Sequence, residues 1–374
     1  MNLSSSGAAF DWVAGVYYLK DNAKSRLTFR FDQGLSGLPP GTYLENTAYT
    51  SDAEAWAVYG DGSWHATDKL NVIAGVRYSE ERQHYEYHNV IGAIVGGQKF
   101  PFLNTCPART DEPSFSSFTP RGGVQYVLDG DQNVYATVSK GFKSGGVNTN
   151  SCANEFNPEK ITAYEAGYRS QWLNGDVTFN ATAFYYDYTD LQLAQITGLV
   201  NKITNAAAAE VKGVELELAW DATANLSVNG SLSWLDATFA SFDTLDTLEP
   251  TKGVQDLSGN RLPNAPEWSA NLGAAYRWDP TPIGVFTARA DIGYRSEVFL
   301  REFNQPLDRQ APYTLVNLSV IWDDPDETYS IRAYVNNLSD ETYYDRMGSS
   351  DGFGARYVSY GAPRQAGVEF RARY

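Results

Sequence analysis

From Leu70 to Tyr78 apolar residues occupy alternate positions, Leu70, Val72, Ala74, Val76 and Tyr78, while Asn71, Gly75, Arg77 and Ser79 fall between them. A period of two means a strand with one apolar and one polar face. The pattern recurs at Val214, Leu216, Leu218 and Trp220 against Glu215 and Glu217. It returns at Phe286, Ala288, Ala290, Ile292 and Tyr294 against Arg289, Asp291 and Arg295. The clearest hairpin runs from Glu159 to Leu193. Tyr164, Ala166, Tyr168 and Trp172 share one face, interrupted by polar Ser170, and Val177, Phe179, Ala181, Ala183 and Tyr185 share one face of the returning arm. Asn174-Gly175 between the arms predicts a tight primed turn, which needs positive φ.

Read along the chain, this gives about fourteen strands joined by short and long connections in alternation. Long loops are expected from Leu19 to about Tyr49, around Cys106, around Cys152, past Gly259-Asn260-Arg261 and before the last strand. Short turns on one side and long loops on the other are the layout of an outer-membrane barrel. A soluble sandwich has shorter strands and no such asymmetry. The fold class expected is all-β, a transmembrane antiparallel β-barrel, with residues 1–374 as one barrel domain.

The tryptophans sharpen this picture. Trp64, Trp172, Trp220, Trp278 and Trp322 each lie within a few residues of a short turn, so all five belong at one end. Indole is apolar with a single donor and favours the membrane–water boundary; a row of Trp at one level is an aromatic girdle. Arg77, Glu165, Arg169, Glu215, Glu217, Arg277, Arg289, Asp291, Arg295 and Arg332 fall on the opposite faces and are expected to line a wet or plugged lumen. Arg289 and Arg295 are candidate ligand contacts.

Composition adds less. The 374 residues carry a net charge of −16, which argues against nucleic acid as a partner. No run of about 18 apolar residues exists, so no helical span is expected, and this is compatible with a barrel. The N-terminal MNLSSSGAAFDWVAGVYYL lacks a basic leader, so the expectation for an exported protein is that further sequence precedes Met1. Cys106 and Cys152 sit in two long loops, where a disulfide and two free thiols are both open readings.

Chemistry-bearing residues are few. His84, Glu86 and His88 of HYEYH share a strand face near the outer end, where imidazoles could bind a metal or haem iron; an exposed polar strand end is the competing reading, and no third ligand is identifiable. Gly141-Phe142-Lys143-Ser144-Gly145-Gly146 does not match a phosphate-binding loop, and its glycines are expected to let backbone bend or approach a neighbour. Phe100, Phe102, Tyr343, Tyr344 and Phe353 in outer loops could contact a ligand. No nucleophile–base pairing stands out, so catalysis is not expected, and no cofactor is implied.

Five stretches together resemble the TonB-dependent outer-membrane receptors: VSKGFKSGGVN, NPEKITAYEAGYRSQWLNGDVTFNATAFYYDYTDLQL, ITNAAAAEVKGVELEL, GNRLPNAPEWSANLGAAYRW and YVNNLSDETYY. Within them Gly141, Phe142, Gly145, Gly146, Tyr164 and Glu165 are structural motif positions. The end, QAGVEFRARY, resembles that family's C-terminal assembly signal, with Gly367, Phe370 and Tyr374 as its key positions. The resemblance implies the outer membrane of a Gram-negative bacterium, membrane lipid and the barrel-assembly machinery as partners, and energy-coupled import of a ferric chelate or similarly scarce nutrient. It also implies a 22-stranded barrel with a plugged lumen. Neither plug nor TonB-contacting box is recognisable in this chain, so TonB is expected to act only through a region upstream of these residues. The expectation is the C-terminal portion of a larger barrel, not competent alone. The alternative is a self-contained fourteen-stranded passive pore.

Overall fold

The computed structural model describes residues 1–374 except 32–40, 150–154, 198–199, 279, 351–354 and 374. Fourteen strands succeed one another: β1 (Phe10–Phe31), β2 (Thr42–His65), β3 (Leu70–Val95), β4 (Ser114–Asp129), β5 (Gln132–Lys143), β6 (Glu159–Trp172), β7 (Val177–Thr197), β8 (Val200–Asp221), β9 (Leu226–Leu245), β10 (Trp268–Arg277), β11 (Val285–Arg295), β12 (Tyr313–Asp323), β13 (Tyr329–Asn336) and β14 (Gln365–Ala372). Each pairs antiparallel with the next, so the sheet is a simple up-and-down meander. A short strand, Asn2–Ser5, extends it beyond β1.

The strands are longer than the hydrophobic alternation. β3 has 26 residues, whereas about 9–11 tilted residues cross a bilayer. The expected loop from Leu19 to Tyr49 is therefore corrected. β1 continues through Lys20, Asp21 and Asn22 to Phe31, and β2 begins at Thr42. The expected loop around Cys106 is instead a strand, Gln98–Asp111, paired with the upper half of β3 after a turn at Gly96-Gly97, both at positive φ. The last long loop contains a further hairpin, Tyr344–Ser350 with Ala355–Tyr360. In these upper regions the outward positions are polar, such as Glu80, Arg82, His84 and Glu86 on β3, so no apolar alternation marks them in sequence.

The apolar residues of the lower strands are not in a core. Val58, Val76, Phe118, Leu272 and Ile292 all lie exposed on one smooth face, Phe118 at 60%. Among the described residues the clusters of buried hydrophobics sit at the long-loop end: Phe239, Phe242, Leu257 and Phe303 in one, Tyr87, Cys106 and Val147 in the other. A sandwich would bury the middles of its strands. This sheet leaves them bare, which is the requirement of a wall whose smooth face has an apolar solvent.

Two local features explain irregularities in the pattern. The Asn174-Gly175 hairpin is not a two-residue turn: Trp172 pairs with Val177, and Leu173, Asn174 and Gly175 all take positive φ in a four-residue connection. Ser170, the polar break on the smooth face, is buried. Its hydroxyl donates to the Phe179 carbonyl (2.8 Å) and accepts from the Trp172 indole N–H (2.9 Å), fixing the indole.

The other face has a repeated construction. Gly15 lies opposite Tyr59, Gly167 opposite Tyr135, Gly213 opposite Phe184 and Gly367 opposite Tyr334. In each pair the ring covers the glycine so closely that a Cβ would overlap it. Such cross-strand pairs pin register and accommodate twist.

The sheet has two edges. β14 pairs only with β13, and Asn2–Ser5 only with β1; among the described residues the edges do not meet. The closed fourteen-stranded ring considered from sequence is therefore not the arrangement formed. Val368 and Phe370 on β14 are among the most exposed apolar side chains.

Candidate ligand-binding site

The strongest candidate lies at the long-loop end, on the polar face, where β5 runs into a hook. Gln83 donates to the Gly145 carbonyl (3.1 Å), and Gly146–Val147 pairs with Glu155–Phe156. Any side chain at Gly145 or Gly146 would meet the rings of Phe115 and Phe156. The glycine-rich motif thus permits close backbone approach, as its sequence context suggests. Asn148 then docks on β8: its amide donates to the Ile203 carbonyl and accepts from the Ile203 N–H, both at 2.7 Å. Asn205 repeats the device, accepting from Asn157 N–H (2.6 Å) and donating to the Asn157 and Asp190 carbonyls. Side-chain amides here substitute for the missing ladder.

Between hook, β8 and the strand carrying Cys106 is a cavity of about 590 Å³ bordered by Arg109, Asp111, Glu155, Phe156, Lys202 and Asn205. Arg109 is held by Asp111 (2.9 Å), which also accepts from the Tyr87 hydroxyl (2.6 Å). Burial first, and the Asp111 carboxylate second, push Tyr87 up to about 12, so it remains a donor. Among the described residues Lys202 has no ion-pair partner. The cavity therefore presents one oriented guanidinium, the Lys202 ammonium, the Glu155 carboxylate, an aromatic ring and amides. This set can offer charge-assisted hydrogen bonds and apolar contact side by side.

A second structure supports the rim. Arg301 bridges Asp246 (2.9 Å) and Asp308 (3.5 Å), and Arg356 reaches Asp308 (2.9 Å). Gln305 accepts from Arg356 (2.7 Å) and donates to Asp246 (3.1 Å) and Glu249 (2.6 Å). Both aspartates are fully buried. Three long connections are thereby tied together over the Phe239–Phe303 cluster.

The residues singled out from sequence are dispersed. His84 contacts Glu112 (2.9 Å) and Glu86 (3.6 Å). Alternation with buried Gln83 and Tyr87 places His84, Glu86 and His88 on the smooth side of β3, away from the cavity, and among the described residues no cluster able to hold a metal is found. Arg289 grips Asp291 with two hydrogen bonds (2.6 and 2.9 Å) on the polar face, and Arg295 lines a groove there with Asn271 and Asn317. Glu165 accepts from Tyr186 (2.8 Å) on the polar face, while Tyr164 faces Tyr185 across the smooth one. Phe142 pairs in register with Lys160.

Trp64, Trp172, Trp220 and Trp278 are exposed, and Trp322 donates to the Ile283 carbonyl (2.7 Å). Gly367 seats the Tyr334 ring and Phe370 stacks on Tyr329; Tyr374 lies outside the described residues. Tyr343 stacks on Tyr313 and Tyr344 lies near Tyr360. Phe100 is exposed; the Phe102 side chain and Phe353 lie outside the described residues. Cys106 is disulfide-bonded, and Cys152 is likewise outside them. Sequence reading missed Arg109, Lys202 and the Asp246–Arg301–Asp308–Arg356 network. The signal that could have found the cavity was Asn148 and Asn205, each within a stretch already recognised.

A family model described as "TonB dependent receptor-like, beta-barrel" matches residues 2–338. The chain belongs to the TonB-dependent receptor β-barrel family. It is 29% identical to the pesticin receptor of Yersinia pestis over 339 residues, covering 89% of this chain and 45% of that receptor. It is 27% identical to a metal-pseudopaline receptor of Pseudomonas aeruginosa over 338 residues, 90% of this chain and 43% of the relative. Among solved structures it resembles the ferric yersiniabactin uptake receptor of Yersinia pestis, with a TM-score of 0.79 and 25% identity over 99% of this chain and 52% of that one. The chain thus spans about half the length of the proteins it matches. As a TonB-dependent barrel it belongs in the outer membrane, where a smooth apolar face suits lipid and a polar face the lumen.

Proposed function

We propose that this chain forms barrel wall and extracellular ligand rim of an outer-membrane receptor that takes up a metal chelate, with a ferric siderophore as the leading class. The observation that carries this is the lumen-facing cavity with Lys202 and Arg109 beside Phe156, a combination suited to a carboxylate- or phenolate-bearing complex. The names of the relatives agree: receptors for metal-pseudopaline and for ferric pyoverdine are among them. Energy coupling by TonB would act through a plug and box carried by sequence other than these residues. Barrel-assembly factors would read the strand ending at Gly367 and Phe370. Two unpaired edges in lipid would each cost several kcal/mol per bare backbone group, which favours completion by further strands over an independent pore.

The test is uptake of a panel of iron-labelled chelates by a receptor-null strain expressing the gene product that carries this chain. One or more chelates should enter in a TonB-dependent manner, and Lys202→Gln with Arg109→Gln should weaken binding roughly tenfold or more, as loss of charge-assisted hydrogen bonds does. Uptake of none, or a uniform single-channel conductance without TonB dependence, would sink the receptor reading.

A further inference from the structure

The polar face of the wall is uneven in height. From β1 to β7 rings stand on it: Tyr59 covers Gly15, Tyr135 covers Gly167 and Phe184 covers Gly213. Guanidiniums are layered on two of these rings, Arg77 at 5.8 Å from the centre of Tyr59 and Arg169 at 5.5 Å from that of Tyr135. Towards the other edge Tyr334 covers Gly367 and carries Arg332 at 4.8 Å. The strands between, β9 to β12, lack this layer. Register sets Ser231, Asn271, Gly293 and Leu315 on one rung, and Asn229, Gly273, Asp291 and Asn317 on the next towards the short-turn end. Below Tyr313, among the described residues of these four strands, no ring projects from this face. A cavity of about 320 Å³ lies over the two rungs. The wall is therefore recessed across four strands, ~14 Å from the first to the last.

Charge in the recess is ordered along its length. Arg295, at the long-loop end, lines the cavity and makes no ion pair among the described residues. Arg289 lies further down β11, held by Asp291 (2.6 Å) and Asn229 (3.2 Å). One rung lower, Arg277 and Arg332 are linked in register through Thr287 and Ile321, and Glu369 lies 3.3 Å from Arg332. From Arg295 to Thr287 the strand descends ~20 Å at a tilt of ~40°, most of an apolar band ~25 Å tall. Glu215 and Glu217 face the same way from β8, but register places them three strands from β11. That is ~14 Å, beyond the ~8 Å screening length of physiological salt. Hydroxyls and amides between the cations can exchange partners with water. A path of this kind holds an anion at several weak sites in turn and strongly at none, which conduction requires.

We propose that the recess over β9 to β12 is a hydrated groove along which an anionic solute crosses the membrane, with Arg295 as its entry contact. The ring-bearing sectors on either side are the parts of the wall that pack against whatever fills the lumen. That the solute is a metal chelate rests on the receptor reading above; the water and the charge in the groove do not.

The test is thiol labelling of the gene product carrying this chain, kept in outer-membrane vesicles, with an anionic and a cationic methanethiosulfonate. Single cysteines are placed in the recess (Ser231→Cys, Asn271→Cys, Asn317→Cys) and in the ring-bearing sector (Thr119→Cys, Thr137→Cys). Cys106 is disulfide-bonded, and wild type sets the background. The recess thiols should react about tenfold or more faster than the other two. The ratio of anionic to cationic rates at Asn271→Cys should fall about threefold or more when Arg295→Gln is added and hold with Arg295→Lys. Recess thiols as slow as Thr119→Cys and Thr137→Cys would show that the sector is packed and overturn the groove. A ratio indifferent to Arg295→Gln would overturn the anionic solute. Heat-modifiable gel mobility reports folding. Should Arg295→Gln not fold, the salt dependence of the ratio in Asn271→Cys alone decides: it should fall as salt rises, and a flat ratio would overturn the charge assignment. Reagent attached at Ser231→Cys should slow chelate uptake about tenfold with surface binding unchanged, and undiminished uptake would overturn the path. A parent strain that takes up no chelate contradicts the receptor reading instead, and the labelling pattern still decides the groove.

Discussion

At the scale of single residues, the positions with the most specific roles are those where polar groups are buried. Ser170 reads as a flaw in an apolar face until its hydroxyl is seen holding the Trp172 indole. Asp246 and Asp308 are in loops, where a carboxylate is ordinarily solvated, yet both are fully buried against Arg301 and Arg356. Glu302 stands beside them, its carboxyl raised first by burial; its own backbone N–H and Arg301 oppose the shift, and the Asp246 and Asp308 charges add to it. A carboxyl whose folded pKa is raised contributes stability that is complete below its unfolded value, about 4.3, and is lost as pH rises through the folded value. Hydrogen exchange in the connection from Ser296 to Pro312 should therefore quicken as pH is raised through that range after correction for intrinsic rates. Glu302→Gln should flatten the dependence; an unchanged profile in that variant would show that another group titrates.

At the scale of elements, strand existence was legible because lipid-facing and lumen-facing positions alternate cleanly from Leu70 to Tyr78 and from Val214 to Trp220. Strand length was not, because above the membrane β1, β2 and β3 lose the apolar solvent that imposes alternation, and Lys20-Asp21-Asn22 looks like loop. The cavity was hidden for a related reason. Arg109 and Glu155 come from two separate connections and Lys202 from β8, and backbone docking by Asn148 and Asn205 helps bring them together. His84 and His88 drew attention by sharing a strand face, but alternation along β3 sets that face outward.

Glycine–aromatic pairing gives this scale its own prediction. Gly213→Val would drive a side chain into the Phe184 ring and the Trp234 carbonyl, whereas a Cβ at Gly230 meets nothing closer than 3.5 Å. Overpacking of this kind costs about 1–3 kcal/mol. The urea midpoint of heat-modifiable folding should fall for Gly213→Val and hold for Gly230→Val; equal midpoints would remove the pairing from the account of register.

At the scale of the whole molecule, a −16 chain whose described residues form no central core is held as a two-faced wall. Among the described residues its buried hydrophobic clusters lie at the long-loop end, on the upper parts of β3, β8 and β9 and the cross-tied connections beside them. Such a rim can keep a ligand cavity preformed at the top of a wall stabilised chiefly by hydrogen bonding and lipid. The unpaired edges at Asn2–Ser5 and β14 are where further strands would join.

The measurement that bears most directly on this picture is site-directed spin labelling along β8, from Val214 to Ala219, of the gene product reconstituted in bilayers. Oxygen accessibility should peak at Val214, Leu216 and Leu218 and accessibility to a water-soluble nickel chelate at Glu215, Glu217 and Ala219, with a period of two. Uniform access of the nickel chelate to all six positions would contradict a wall with one face in lipid.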